Sequence, residues 1–555
     1  MKKNQDKKLT VLFISLVILI FAFALFLRMY NLGKFSMWVD ESYHLYVSQS
    51  LNENGSMKLP SGHEYGRAKL FSYLTALSTK IFGLNEFGLR FPTALFGFLS
   101  LLIFFIFTRK LLGNSIAIVA LILLAVLPLE VGWARVTRFY TLFQFFTILV
   151  WYSFYTGFIK RNSFLSKPDL HSRISIESII RSWEINWFYL FLFFIFLICA
   201  VSVQVIGVFP LLAIFVFLVM CSIYTYFKAD ITRFLLSKYF IFTVAAILFF
   251  TPFLLFNQVR ATIEYGIDYI PAFAKNPGAM DRMKYMKFIM GKGIFPLGVF
   301  FIIGLLQSLF RLNKVIVYSA LFFIVQVFLF TFVFAYRADQ YIYNVLPFFI
   351  LVASYSIVTI IRHEKEKFKN GKNFIYQFIG SHLKEPLRLV YVLFILLLFS
   401  TPFFIEGISA PFHKVGESNG AIIFSEWKEA AEFVNKKEIE SKIILTTLPL
   451  TVKYYLGKVD YNLNLSDVEV AQINSTTDSN GRLYDFYSGI YFIETAAELD
   501  SLVQNTTAGY IIVDTYRLIH SFYITRDVSQ YMDKNLTLDY ITPKQTIRVY
   551  SWDNL

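Results

Sequence analysis

Charge and cysteine are both scarce in this 555-residue chain. Only 16% of its residues are charged, against about 25% in a typical soluble domain. Its two cysteines, Cys199 and Cys221, both sit inside apolar runs. That excludes a disulfide framework and any zinc spacing built on cysteine. The chain has no Gly-rich nucleotide loop and no internal repeat, so neither a nucleotide cofactor nor a solenoid is expected.

Apolar residues are abundant instead: 56% are hydrophobic and 19% aromatic. They gather in runs such as Val11–Leu27, Phe188–Ala200 and Tyr391–Phe399. Runs near twenty residues match the hydrocarbon core of a bilayer. Positions 1–405 hold 39 basic and 18 acidic residues, and positions 406–555 hold 13 and 20. The first part is thus about +21 and the tail about −7. A uniformly basic nucleic-acid binder does not divide this way, so no nucleic-acid partner is expected. Positive charge held on one side of a membrane gives such a split.

The apolar pattern predicts eleven spans: 9–27, 91–108, 114–129, 139–159, 187–203, 205–227, 238–257, 293–310, 315–336, 341–361 and 387–405. The N-terminal run is too long for a signal-peptide core and has no small-x-small cleavage site, so it reads as a retained first span. The stretch 187–227 reads as a hairpin turning near Ser202–Gly207. Basic clusters such as Arg109-Lys110 and Lys160-Arg161 then fall on the cytoplasmic side with the N-terminus. An odd number of spans puts the tail outside.

The predicted fold is a polytopic α-helical membrane protein with about eleven transmembrane helices and a C-terminal α/β extracytoplasmic domain. Its parts are a membrane domain, 1–405, with a first outer loop at 28–90, and a soluble domain, 406–555. A multi-pass protein of the plasma (inner) membrane is expected, in contact with membrane lipids. Ala68–Phe82 is amphipathic and suited to the membrane interface. A second long outer loop covers 258–292. In the tail, Glu426–Lys437 has helical periodicity, and Lys442–Thr446, Tyr510–Asp514 and Ile547–Trp552 read as strands. Sequons at Asn464, Asn474, Asn505 and Asn535 are compatible with an outer location.

Several loop motifs carry chemistry. Trp38-Val39-Asp40-Glu41 places two adjacent carboxylates a dozen residues beyond the first span. Such charges are costly at a membrane surface unless solvated or paired. Asp40 has two readings: a helix N-cap, or a general base, since a partly desolvated carboxylate can take a proton from a hydroxyl. His44 follows at i+4 from Asp40 and i+3 from Glu41, so the three can share a helix face. A metal could sit there, but His63, His171, His363, His382, His413 and His520 show no ligand spacing, and no cofactor is expected. Glu64-Tyr65-Gly66-Arg67-Ala68-Lys69, Arg135-Val136-Thr137-Arg138-Phe139-Tyr140 and Arg337-Ala338-Asp339-Gln340-Tyr341 each set cations beside tyrosine at an outer junction. Snorkelling with an aromatic belt explains any one of them. Several together, on the side where positive charge is disfavoured, point to an anionic ligand that arginine can grip bidentately.

These motifs in order resemble the GT-C glycosyltransferases, in particular the protein O-mannosyltransferase and aminoarabinose transferase group. The matching pieces are Arg28-Met29-Tyr30-Asn31-Leu32-Gly33 leading to Trp38-Val39-Asp40-Glu41, then Leu70-Phe71-Ser72-Tyr73-Leu74. Ile81-Phe82-Gly83-Leu84-Asn85-Glu86-Phe87 and Leu89-Arg90-Phe91-Pro92 follow, then Ala134-Arg135, Arg138-Phe139-Tyr140 and the Tyr341–Pro347 stretch. The likeness is good over about 10–160 and topological beyond. One departure is Ala68-Lys69, where many relatives carry a Pro-Pro pair.

The resemblance implies a polyprenyl-phosphate-linked sugar as donor, and a protein, lipid or glycan as acceptor. Transfer would invert the sugar at the outer face. Asp40 would be the general base, with Glu41 as the second catalytic carboxylate. Lys69, Arg67, Arg135, Arg138, Tyr140 and Arg337 would bind the donor phosphate, with His44, Glu64 and Tyr341 around the pocket. The rival reading is a transporter or flippase of lipid-linked sugars, which calls for broken helices or repeated halves. A non-catalytic scaffold would not need Asp40-Glu41 beside an arginine cluster.

Overall fold

The computed structural model describes residues 2–159, 183–255, 281, 283–289, 291, 294–334, 337–369, 405, 407–409, 425–437, 442–468 and 476–554. They form two compact units. One comprises 1–28, 95–133 and 139–410, and the other 29–94, 134–138 and 411–555. The first loop therefore groups with the tail and not with the membrane helices that flank it in sequence.

Among the described residues six helices are long and apolar enough to cross a membrane: Thr10–Met29, Glu86–Leu112, Tyr140–Ile159, Val205–Lys228, Lys314–Val333 and Tyr343–Arg362. Asn114–Val126, Trp187–Val203, Lys238–Leu248 and Phe295–Phe310 are shorter apolar helices. The eleventh expected span, 387–405, and most of the 258–292 loop lie outside the described residues. Only 11% of the apolar window of Thr10–Met29 is buried, against 89% for Tyr343–Arg362. The first presents its apolar side chains outward and the second is wrapped by its neighbours. The apolar stretch 187–227 breaks where expected: one helix ends at Val203, a 3-10 turn covers Val205–Val208, and the next helix starts at Phe209.

Polar side chains inside this bundle are tied to one another. Gln144 donates to Glu130 Oε1 at 2.7 Å and to the Tyr343 carbonyl at 2.9 Å. Gln326 and Asn344 exchange amide bonds of 2.6 and 3.2 Å, and Trp151 donates to Ser319 Oγ at 3.1 Å. In an apolar surround an unmade bond of this kind is expensive.

The tail contributes a five-stranded mixed sheet of order β2-β1-β3-β5-β4. The strands are β1 (Ile443–Thr446), β2 (Tyr461–Asn462), β3 (Ala508–Asp514), β4 (Thr537–Ile541) and β5 (Ile547–Asp553). β1 runs parallel to β2 and β3, and β5 antiparallel to β3 and β4. The period-2 alternation of a strand sends successive residues to opposite faces. Ile511 and Val513 pack with Leu445, Tyr550 and Trp552 under the helices Ala496–Gln504 and Arg526–Asn535. Tyr510 and Ile512 pack with Ile444, Ile547 and Val549 under the helices Trp427–Asn435 and Pro449–Leu456. Every residue of β3 is buried, as a strand covered on both faces must be.

The first loop closes onto this tail. Met37, Leu45 and Leu89 pack against Tyr454 and Tyr455, and Val47, Met57, Leu59 and Tyr65 against Phe486 and Tyr487. The Tyr455 hydroxyl accepts from Met37 N at 2.9 Å and donates to Glu86 Oε1 at 2.9 Å. The amphipathic stretch is the helix Lys69–Phe82, with Phe71, Thr75, Ala76 and Thr79 buried. Tyr73, Leu77 and Ile81, one turn apart, form an exposed apolar stripe.

One close helix approach gives a test. A Cβ added at Gly304, in the helix Phe295–Phe310, would sit inside van der Waals contact of the Val352 carbonyl oxygen, whereas one at Gly132 meets nothing. Gly304→Val should destabilise the purified protein by ~1–3 kcal/mol and Gly132→Ala should not, as read by thermal unfolding in detergent.

Candidate functional site

The site is organised by a residue at the head of an apolar helix. Arg90 is fully buried and spends all five guanidinium donors. Nη1 donates to the carbonyls of Leu32 (3.0 Å) and Phe35 (2.9 Å). Nη2 donates to the Ser36 carbonyl (2.9 Å) and Glu41 Oε2 (2.7 Å), and Nε to Glu41 Oε1 (2.8 Å). Such a planar fork matches a carboxylate bidentately. Glu41 is equally saturated. Its Oε1 also accepts from Thr137 N at 2.7 Å, and its Oε2 from Trp38 N at 2.8 Å. Burial pushes its proton affinity up, but the Arg90 charge and these bonds prevail and hold its pKa below the usual glutamate value.

This corrects one expectation. Glu41 is a buried anchor that pins residues 32–41 and the 134–138 segment to one helix head, and presents no oxygen to a reactant. Asp40, its neighbour, faces the other way. It occupies the N-cap position of the helix Glu41–Asn54, but its side chain makes no capping bond. Its side chain is 27% exposed and lies 3.3 Å from Arg138 Nη2, itself 12% exposed. The Glu41 bond to Thr137 brings Arg138 there.

The remaining expected residues are distributed as follows. His44 is fully buried against the edges of Tyr65 and Phe71, and neither ring nitrogen has a hydrogen-bond partner. Burial, then the Arg138 charge, depress its pKa well below the ordinary histidine value, so it is a neutral packing residue. Asp40, Glu41 and His44 do not converge: among the described residues no group of three or more His, Cys, Asp or Glu is placed to hold a metal. Arg135 turns inward, donating to the carbonyls of Tyr30 (2.9 Å) and Asn31 (3.3 Å). That is a backbone clamp and not an exposed phosphate ligand. Glu64, Arg67 and Lys69 are exposed. Lys69 opens its helix directly after Ala68, whose φ of 49° lies in the left-handed region. A residue with a Cβ holds that conformation at a cost of about 1–2 kcal/mol.

Tyr140, Arg337 and Tyr341 belong to the other unit. Tyr140 is buried against Trp133 and Phe139. Arg337 is buried and donates to the Thr331 carbonyl at 2.7 Å. The Tyr341 ring stacks on Phe330.

Sequence reasoning missed the tail's contribution. A cleft of about 250 Å³ is lined by Val39, Ser42 and Tyr43 from the first loop, and by Leu448, Pro449, Leu450, Thr451, Asp467 and Asp485 from the tail. No motif joins residues 400 positions apart, and two isolated aspartates in an acidic tail carry no signal of their own.

Comparison with known proteins agrees with this architecture. Residues 67–227 match the family model described as dolichyl-phosphate-mannose-protein mannosyltransferase. An uncharacterized protein of Aquifex aeolicus (strain VF5) is 28% identical over 146 residues, a match covering 25% of this chain and 29% of that relative. Among solved structures, ArnT from Cupriavidus metallidurans in the apo state superposes with a TM-score of 0.55 at 12% identity, over 99% of this chain and 98% of ArnT. The same protein bound to undecaprenyl phosphate gives 0.55 at 14%, over 97% and 98%. The oligosaccharyltransferase AglB from Archaeoglobus fulgidus, in complex with an inhibitory peptide and a dolichol-phosphate, gives 0.52 at 12%, over 97% of this chain and 74% of AglB. The chain thus has the fold of ArnT and AglB.

The Glu41–Arg90 pair generates a prediction of both size and sign. Glu41→Gln keeps the shape but leaves the guanidinium buried without its counter-charge, a loss on the order of 3–5 kcal/mol, readable as a fall in thermal midpoint. Because the folded pKa of Glu41 is depressed, its contribution is complete above the unfolded value of about 4.3. It is lost as pH falls from there through the lower folded value. Acidification should therefore destabilise the wild type more steeply than Glu41→Gln.

Proposed function

We propose that this chain is a glycosyltransferase that moves a sugar from a polyprenyl-phosphate donor to an acceptor hydroxyl at the outer face of the membrane, with Asp40 as the general base. The observation that carries this is the Asp40–Arg138 pair. A partly exposed carboxylate and a cation stand 3.3 Å apart on a loop made rigid by the saturated Glu41–Arg90 bridge. The fold supports it too, since it is the fold of ArnT, solved with undecaprenyl phosphate, and of AglB, solved with a dolichol-phosphate.

In this reading Asp40 accepts the proton of the acceptor hydroxyl as its oxygen attacks the anomeric carbon. The bond from that carbon to the lipid phosphate breaks on the opposite face, and the phosphate departs with the electron pair. One displacement inverts the anomeric centre. Negative charge grows on the departing phosphate, where fixed cations lower the barrier. The exposed Lys69 and Arg67 are suited to that role, while Arg138 holds the Asp40 carboxylate in place. The exposed stripe of Tyr73, Leu77 and Ile81 suits a helix lying at the lipid interface, where a lipid-anchored donor arrives.

Asp40→Asn should reduce sugar transfer by about 10²–10⁴-fold, the usual worth of a general base, while leaving membrane insertion and gel-filtration behaviour unchanged. The assay is mass spectrometry of products formed from defined polyprenyl-phosphate sugars by detergent-purified protein. Full transfer by the variant would overturn the role of Asp40. A wild-type protein that leaves every donor intact in detergent, with no bilayer to cross, would favour a transporter.

A further inference from the structure

Asp467 and Asp485 face the same cleft from different parts of the tail. Asp485 accepts from the backbone N and the hydroxyl of Ser488 and from Tyr487 N, and Asp467 accepts from Asn462 Nδ2 at 3.3 Å. These donors are all neutral. Arg517 acts on Asp467 through its charge but is paired with Asp514 at 2.9 Å. Two carboxylates thus share one desolvated space with no cation of their own beyond the field of an arginine already paired elsewhere, an arrangement relieved when a proton or a cation joins them. The cleft also holds an unused ligand atom. Thr451 is 1% exposed, and its hydroxyl, buried in the same lining, has no hydrogen-bond partner. The cleft has room for at least one water-sized species.

We propose that Asp467, Asp485 and the Thr451 hydroxyl form a binding site for a divalent cation, a hard ion that takes oxygen ligands. The ion's two charges balance the two carboxylates, and carboxylates with a hydroxyl and water are the donor set that calcium- and magnesium-type ions accept. It differs from the Asp40, Glu41 and His44 trio considered from the sequence, and it does not depend on the chain being a transferase. Burial and mutual repulsion raise the proton affinity of Asp467, and burial raises that of Asp485. The ion would also act at a distance on Asp40. Tyr43 lines the cleft, and its hydroxyl lies within electrostatic reach of Asp40, Asp467 and Asp485. A bound cation would tie the 467 and 485 segments to the helix Pro449–Leu456, which carries Thr451.

Tyr43 makes the site observable, because a tyrosine beside a bound terbium ion sensitises its luminescence. Detergent-purified protein titrated with Tb3+ should show saturable emission that Ca2+ displaces. Asp40→Asn should retain it. Asp467→Asn with Asp485→Asn should bind at least ~10-fold more weakly, since ligand charge sets affinity at such sites. Thr451→Val, which preserves shape, should weaken binding to a lesser degree. It serves as the test should the double variant elute as an aggregate. Absence of saturable emission from the wild type would overturn the proposal. So would wild-type affinity in Thr451→Val and in each single aspartate variant, or loss of emission in Asp40→Asn alone. No outcome involves sugar transfer, so failure here is distinct from failure of the catalytic reading.

Discussion

Everything around the candidate site hangs on the Arg90–Glu41 ion pair. Two full charges taken out of water are costly, and they persist only where every donor and lone pair finds a partner. Here both groups are saturated: Arg90 gives five bonds and Glu41 receives four. Five of the partners are main-chain atoms of loops with no regular structure: the carbonyls of Leu32, Phe35 and Ser36 and the amides of Trp38 and Thr137. The pair therefore replaces secondary structure as the element that fixes the loop backbone. Asp40 inherits its position from the residue after it, and Arg138 from the residue before it. Neither side chain needs to contribute to holding the loop, which leaves Asp40 partly exposed.

Much of the membrane part was legible because a long apolar run has few alternatives in water. The runs at 9–27, 91–108, 139–159, 205–227, 315–336 and 341–361 correspond to helices long enough to span. The others meet shorter helices or lie outside the described residues. In the tail, the three predicted strands appear as β1, β3 and β5, whose alternating apolar residues pack both faces. β2 and β4 were missed for opposite reasons. β2 has two residues, too few for a pattern, and β4 is a largely exposed edge with no buried residue to mark it. The loop's attachment to the tail rests on scattered tyrosines, Tyr454, Tyr455 and Tyr487, whose partners are distant in sequence.

The site was legible as a neighbourhood, not as a set of roles. Asp40 and Arg138 emerge as a facing pair. Glu41 and Arg135, of the same residue types and one to three positions away, turn inward to hold main-chain carbonyls and amides. Residue type and spacing cannot separate the two fates, because the choice depends on which way the backbone turns after Asn31 and at Thr137. Arg90 was visible only within a motif, although a charge at the mouth of an apolar run should have signalled a buried partner. Asp467, Asp485 and Thr451 lay beyond any local pattern.

The Tyr455 hydroxyl bonds both Glu86 and Met37, the latter 418 residues away in sequence. That bond sets a timetable. A ribosome adding about 5–20 residues per second exposes the first loop roughly 20–80 s before the chain that must cover it exists. During that interval Met37, Leu45, Val47 and Tyr65 have no tail to pack against. Arg90 and Glu41, 49 positions apart, can close at once and hold the loop in shape. The early ion pair thus acts as a temporary fold for the loop, retained afterwards as its permanent frame.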